Sequence, residues 1–396
     1  MSPANKDIVK TSGKAFNKFT RYIAKGLNKP KTRFVTELLC GIVFSDDLIL
    51  THIASKVPHP ARLTAIAKRF RRQLADSASY LKRLWFNYLS LARRRLDLDS
   101  LFIVDLTDLA KPYAKKLENI ALVRDGDTGC LVTGYWCMEV YCRDKDGIIW
   151  PLILWPYSLQ AEGQLSENAQ ILSILSQLDE HFGQGFGIWI FDRGFDRLNL
   201  IEPFLACKRH FIIRQRGDRM VVVNNGLHII IRDLVEHLFA QSRSWLVYKK
   251  VYLADIDKPL YVVAYHTKGH DQPVILLTDM VIEDTDLALQ TRNRYSKRWV
   301  GCETSVEFLK SRIGLERFAV RRYQSIQGLI FLASLAMGFL SFLQSGCKDI
   351  GKRIEDRLRY SRNPKSFWFY RLVIALRDGF FYQAKIGLLC WCRLPP

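Results

Sequence analysis

Two aspartates and one glutamate carry the chemistry this chain can perform. Asp105 closes an apolar segment within Ile-Val-Asp-Leu-Thr, and Asp192 closes another within Ile-Trp-Ile-Phe-Asp-Arg-Gly-Phe-Asp. Carboxylates at the ends of neighbouring buried strands can converge on a hard cation, because Mg2+ takes oxygen ligands and keeps several waters. Two such ions, roughly 3.5 to 4 Å apart, would activate an attacking hydroxyl and stabilise the leaving oxygen at a phosphorus centre. A third carboxylate would complete the site, and its best source is the helical segment bearing Glu303, Glu307 and Lys310. At about 100° per residue these three lie within about 60° of one another, beside the apolar stripe of Cys302, Val306, Leu309 and Ile313.

Each of these residues also has an ordinary reading. An aspartate at a strand end is often a turn or cap residue. Asp108 and Asp196 compete with the chosen pair and read as a local turn residue and a helix cap. Glu307 competes with Glu303, its plain role being an exposed carboxylate near Arg312 or Lys310. Tyr295 and Trp299 could be core aromatics.

The elements that must position these groups follow from periodicity. Leu101 to Leu106, Leu131 to Cys142 and Ile148 to Tyr157 are apolar, β-branched or aromatic runs that read as strands, the last two joined by a turn at Arg143 to Gly147. A helical pattern covers Glu162 to Phe182, followed by a strand at Gly187 to Phe191, a helix at Arg197 to Cys207 and a strand at His210 to Arg214. This order suits an α/β mixed sheet with flanking helices. Strand-like segments at Met220 to Val223, Trp245 to Tyr252, Leu260 to His266 and Val274 to Thr278 then predict a β-rich insertion. Helical pattern resumes near Thr285 and passes Ile313.

Residues 1–100 read as a helical region with basic faces. Lys10, Lys14, Lys18, Arg21 and Lys25 fall on one side of a helical wheel, and Phe16, Phe19, Ile23 and Leu27 on the other. Gly13 is expected to delay the start of that helix. Asp47 to Val57, the break Pro58-His59-Pro60, and Ala61 to Leu74 with Lys68, Arg69, Arg71 and Arg72 read as helix, turn and basic helix. Both a DNA-reading motif and a plain helical hairpin fit this pattern.

Composition narrows the partner. The 59 Lys and Arg against 39 Asp and Glu leave 59 − 39 = +20 in 396 residues, so a polyanion is expected, nucleic acid before an anionic membrane. The apolar run Leu329 to Leu343 falls short of the ~18 to 20 residues a spanning helix needs and reads as a buried helix. The basic N-terminus has no apolar core or cleavage-like site, so a cytoplasmic protein is expected, associated with the nucleoid when bound to DNA. Nine cysteines without CxxC pairs predict reduced, mostly buried thiols, and the lone Cys390/Cys392 pair lacks partners for zinc.

Asp105-Leu-Thr107 and Phe191-Asp192-Arg193-Gly194, together with Tyr295-Ser-Lys-Arg298-Trp299, Glu303 and Lys310 seven residues on, resemble the DDE transposases of the insertion-sequence-four type. Gly314-Leu315-Glu316-Arg317-Phe318 is similar to that family too. The likeness spans roughly residues 100 to 345, β insertion included, and its specificity lies in the combination. It implies an RNase H-like core in which Asp105, Asp192 and Glu303 bind catalytic Mg2+ or Mn2+. Tyr295, Arg298 and Lys310 then hold DNA phosphates, and Trp299 stacks on an unpaired base.

Five segments follow: a helical DNA-binding region (1–100), the first part of the core (101–216), the β-rich insertion (217–283), the second part of the core with the glutamate helix (284–345) and a helical C-terminal tail (346–396). The implied activity is cleavage at element ends and strand transfer into target DNA, on double-stranded DNA, by a homodimer and without a membrane. A catalytically silent DNA-binding descendant and a nuclease without strand joining are the alternatives.

One departure from the family stands out. Four residues, Trp299, Val300, Gly301 and Cys302, separate Arg298 from Glu303 where the family has three. In an unbroken helix the extra residue turns Arg298 about 100° from the face of Glu303. A bulge or helix break at or beside Gly301 is therefore predicted.

Overall fold

The computed structural model describes residues 3–385 apart from 127, 164, 225, 255 and 347–367. Its centre is a mixed sheet whose strands are β1 (Leu101–Ala110), β2 (Ala121–Arg124), β3 (Leu131–Arg143), β4 (Ile149–Tyr157), β5 (Ile188–Phe191), β6 (His210–Arg214), β7 (Met220–Val222), β8 (His228–Ile230), β9 (Leu246–Leu253), β10 (Ile256–Tyr265) and β11 (Val274–Thr278). They run in the order β2-β3-β1-β5-β6-β11-β10-β9-β7-β8, with β4 also paired to β3.

The segment β4-β3-β1 is antiparallel, and β1, β5 and β6 are parallel. Hairpin connections account for the first part. Helices Glu167–Phe182 and Leu198–Ala206 make the crossovers that parallel strands require. The fold is the α/β, RNase H-like mixed sheet with flanking helices expected from the sequence. The four strands β1, β3, β5 and β6 are apolar nearly throughout because helices and neighbouring strands cover both faces.

Three features differ from the sequence-based expectation. β1 runs on to Ala110, so Asp105 lies in mid-strand, its neighbours paired to β3 along the full length. β2 is too short to show a period, whereas the helix Ile231–Gln241 has Ile231, Leu234, Val235 and Leu238 at helical spacing, a pattern the strand-rich reading of 217–283 passes over. The β-rich insertion continues the central sheet, since β11 pairs β6 antiparallel and β10 and β9 follow.

In the N-terminal region the helix Pro3–Ile23 starts ten residues before Gly13 and buries Phe16, Phe19 and Ile23, while Lys10, Lys14, Lys18, Arg21 and Lys25 are exposed. Phe16 and Phe19 meet Phe339 edge-on or tilted at 5.1 and 5.7 Å between ring centroids. The helices Leu50–Ser55 and Leu63–Ala75 form the helix, turn and basic helix, and the second buries Ile66, Ala67, Phe70 and Leu74.

The helices Pro3–Ile23 and Leu63–Ala75 pack on the helix Tyr323–Gly346, which is long and apolar enough to span a membrane but is almost wholly buried inside the protein. Its Ser341 hydroxyl donates to Ile149 O on β4 at 2.6 Å, fixing the helix to the sheet. In the C-terminal tail a helix covers Trp368–Lys385, while 347–367 and the Cys390/Cys392 pair lie outside the described residues. Among the described residues Cys40, Cys130, Cys137, Cys142, Cys207 and Cys302 are free thiols, and Cys40, Cys137, Cys142 and Cys302 are buried.

Candidate active site

The parallel register brings the two aspartates together. β1 and β5 pair from Leu101↔Ile188 to Val104↔Phe191. Asp105 and Asp192 are the next residue on each side, where the parallel pairing stops and the strands part. Their side chains emerge at the carboxyl end of β5, the position where open α/β sheets offer a crevice.

The third carboxylate arrives on a distorted helix. An α-helix covers Thr285–Ser296, Trp299–Glu303 is a π-turn, Thr304–Phe308 is α-helical, and Leu309–Ile313 is a second π-turn. Thr304 N–H donates to Trp299 O, five residues back, so the extra residue is taken up as one wide turn. Gly301 permits it: a Cβ there would lie 2.1 Å from Ile103 Cδ1 on β1.

Arg298 and Glu303 consequently face the same point. The Arg298 guanidinium pairs with Asp105, lies 3.9 Å from Asp192 Oδ2 through Nη2, and donates from Nη1 to Glu303 Oε1 at 3.0 Å. One cation is thus shared by all three carboxylates. Burial opposes its charge, but Asp105 and Asp192 outweigh that and hold the guanidinium firmly protonated. Asp105 is pushed above the usual carboxylate range, first by burial, with the charges of Asp192 and Glu303 adding, against Arg298 and the Leu106 N–H.

A fourth carboxylate is missing from the sequence-based set. Glu139 on β3 sits opposite Asp105 in the antiparallel register and is fully buried. Burial, then the neighbouring charge of Asp105, raises it to about 8, while hydrogen bonds from Cys302 and Tyr141 work the other way. Tyr141 donates to Oε2 at 2.8 Å and the Cys302 thiol to Oε1 at 3.0 Å. Cys302 Sγ is also 3.4 Å from Asp105 Oδ2. A signal for it exists: Glu139 is the one charged residue in the apolar run from Leu131 to Cys142, an expensive place for a carboxylate without partners.

The remaining residues distribute around this centre. Tyr295 is buried, and its phenol is pushed up first by burial and then by Asp192. Trp299 points outward, 68% exposed, next to exposed Val300. Lys310 lies 3.1 Å from Glu316 Oε1 and 3.5 Å from both Asp108 oxygens, to the side of the three carboxylates. Asp108 is a buried strand residue that also accepts from Gly126 N–H at 3.2 Å, so it is no turn residue. Asp196 ion-pairs with Arg219 and accepts from Arg216 N–H at 3.0 Å; the cap position of the following helix belongs to Arg197. Glu307 is exposed.

From Asp192 a cleft of about 1380 Å3 runs between the core and the insertion. Arg193, Arg214, Arg216, Arg232, Lys268 and His270 line it, against the acids Asp192, Glu236 and Asp271. The five Arg and Lys side chains outnumber the three acids, and a cleft of net positive charge draws in anions.

The residues present fit a hard divalent cation. Among the described residues the ligand atoms of Asp105, Glu139 and Cys302 all lie within 4.8 Å of one another, while Asp192 and Glu303 add oxygen donors around the Arg298 guanidinium beside them. Asp192 Oδ1 is buried and has no hydrogen-bond partner among the described residues, an acceptor left for a ligand.

Fold and site together define an α/β protein with an RNase H-like sheet and a carboxylate cluster at the end of its parallel strands. Residues 155–339 match the family model of the transposase DDE domain, which supports a DDE transposase. The match spans Asp192, Arg298, Glu303 and Lys310 and begins after Asp105. No curated protein matches the sequence significantly. Among solved structures, the piggyBac transposase in its synaptic complex with hairpin DNA is similar with a TM-score of 0.48 and 12% identity, over 100% of this chain and 84% of that one.

Proposed function

We propose that this chain is a cut-and-paste DNA transposase of the insertion-sequence-four type. It cleaves both ends of its element and joins them to target DNA, as a cytoplasmic homodimer on double-stranded DNA. The observation that carries the reading is the convergence of Asp105, Asp192 and Glu303 on the Arg298 guanidinium, within a chain that matches the transposase DDE domain.

Asp105, Asp192 and Glu303 would hold Mg2+ or Mn2+. When bound, the metal would supply Lewis-acid activation of the attacking hydroxyl and charge neutralisation at the leaving oxygen. Arg298 is the group that changes partner. With the carboxylates engaged elsewhere, its planar fork is released to a phosphodiester, for which it has the bidentate geometry. Exposed Trp299 stacks on an unpaired base beside the cut. Tyr295, Arg298, Glu303 and Lys310 form the family signature, with Lys310 as the flanking point charge. The basic cleft beyond Asp192 receives the strand, and the helix Leu63–Ala75 contributes to DNA binding from the N-terminal region.

The test is Mg2+-dependent cleavage and joining of DNA bearing the element's terminal inverted repeats, comparing wild type with Asp192→Ala. The reading predicts that wild type produces joined product and the variant neither cleaves nor joins. Cleavage without joining by wild type assigns a nuclease, and DNA binding without either reaction assigns a silent DNA-binding protein.

A further inference from the structure

A second cationic site lies away from the three carboxylates, in a groove of about 540 Å3 between the basic helix Leu63–Ala75 and the start of the helix Tyr323–Gly346. Arg71 and Arg72 form one wall, Arg321 and Arg322 the other, and Ala75, Ala319 and Val320 contribute an apolar floor. All four arginines are exposed, and none makes an ion pair among the described residues.

The contrast with the neighbouring arginine is informative. Arg69, on the same helix, is paired with Glu37, which also accepts from Arg33 at 2.8 Å. Cations that hold the N-terminal helices together are neutralised, whereas those facing the groove are not. The acid bonded nearest to the second wall, Glu118, directs Oε2 at Tyr323 N–H, 2.6 Å away, and donates its own N–H to Arg321 O at 3.0 Å. It is occupied with the backbone of the wall.

The walls are fixed to each other. Ser77 Oγ donates to Gln324 O at 3.1 Å, and a Cβ on Gly328 would lie 2.9 Å from Ser77 Oγ. Four exposed arginines therefore line one groove without an ion-paired acid among the described residues, and a polyanion would neutralise their charge. Their forks suit phosphate oxygens, and the small apolar floor suits deoxyribose. A recessed groove does not suit a flat lipid surface.

Resting on the transposase reading, we propose that this groove binds the sugar-phosphate backbone of duplex DNA, independently of sequence. Phosphate contacts set position and carry no sequence information.

The test measures binding of the full chain to two labelled duplexes, one with an element end and one of unrelated sequence, over a range of salt. Wild type is compared with the variant carrying Arg71→Gln, Arg72→Gln, Arg321→Gln and Arg322→Gln. Each lost phosphate contact flattens the slope of log K against log salt by ~0.9, so the slope falls by about 3 to 4 on both duplexes alike. The four corresponding lysine substitutions retain the slope. If the glutamine variant is less well folded by circular dichroism, the pairs Arg71→Gln/Arg72→Gln and Arg321→Gln/Arg322→Gln each lower the slope by about 2.

An unchanged slope, or a loss on one sequence only, overturns the groove while leaving the transposase reading standing if wild type still cleaves and joins. Loss of binding to phosphatidylserine vesicles with an unchanged DNA slope assigns the groove to lipid and overturns the proposal as well. A wild type that binds neither duplex removes both readings together.

Discussion

Arg298 Nη1 lies 3.0 Å from Glu303 Oε1 although the two are five residues apart. In a regular α-helix that separation places side chains about 140° apart. The π-turn Trp299–Glu303 closes the gap, and Gly301 lets that turn approach β1.

Gly301→Ala therefore tests the turn. Its methyl would sit 2.1 Å from Ile103 Cδ1, and overpacking of this kind costs ~1 to 3 kcal/mol. Ile103→Val removes that carbon, so the double variant should recover most of the loss in urea unfolding. Equal stability of both Gly301→Ala variants would show that the contact is not the cause.

Arg298→Ala leaves three carboxylates around an empty position. Removing one partner of a buried ion pair typically costs ~3 to 5 kcal/mol, and here Arg298 is largely buried while Glu303 is 39% exposed, so the lower figure is expected. Thermal unfolding in EDTA should show the loss, and saturating Mn2+ should raise the melting temperature of the variant more than that of wild type. Equal Mn2+ shifts would deny that Arg298 and the metal share the carboxylates.

Trp299 is 68% exposed and packs little. Trp299→Ala should leave the melting temperature unchanged and weaken binding to a DNA end with an unpaired base by ~1 to 3 kcal/mol, roughly 5- to 150-fold. Undiminished affinity for that end would exclude stacking.

Lys111 gives a pH dependence independent of the active site. Its ammonium donates to Phe318 O at 2.9 Å and rests over the Phe318 ring. Burial, only partly offset by Glu316, lowers it from 10.5 to about 8. Between those values the unfolded chain binds the extra proton, so stability rises with pH through the window; the penalty is full below pH 8 and gone above 10.5. Because Lys111 is partly exposed, solvent screening reduces the effect to about 1 kcal/mol. The stability difference between wild type and Lys111→Met, followed by urea unfolding, should shift by that amount in favour of wild type as the pH rises. A difference that stays flat from pH 7 to 11 would show that Lys111 titrates normally.

Much of the fold and the site is legible in the amino-acid order alone. Apolar β-branched runs mark β1, β3, β4, β5 and β6 because a sheet covered on both faces needs them, and Asp192 stands out where such a run ends. The unusual spacing from Arg298 to Glu303 calls for a local distortion, since helix phase is set by geometry.

What is not legible depends on pairing between distant segments. Asp105 resembles a strand end because β5 stops beside it, yet β3 pairs with β1 well past that point. Glu139 stands out locally as the one charge in its apolar run, but its partner Asp105 is set by the register of β1 and β3, which nothing local announces. β9 to β11 resemble a separate β unit because nothing local announces that β11 will pair with β6. Asp108 and Asp196 have the local look of turn and cap residues, and both instead hold distant partners, Lys310 and Arg219.

The central claim is that Asp105, Asp192 and Glu303 act as one metal-dependent unit. Its most direct measurement is the rate of Mg2+-dependent strand cleavage for Asp105→Asn, Asp192→Asn and Glu303→Gln, singly and combined. Groups that act as a unit are grossly non-additive, so each single variant should fall by about a thousandfold or more, and the triple variant no further than about tenfold below them. A single variant that cleaves at close to the wild-type rate would contradict the account.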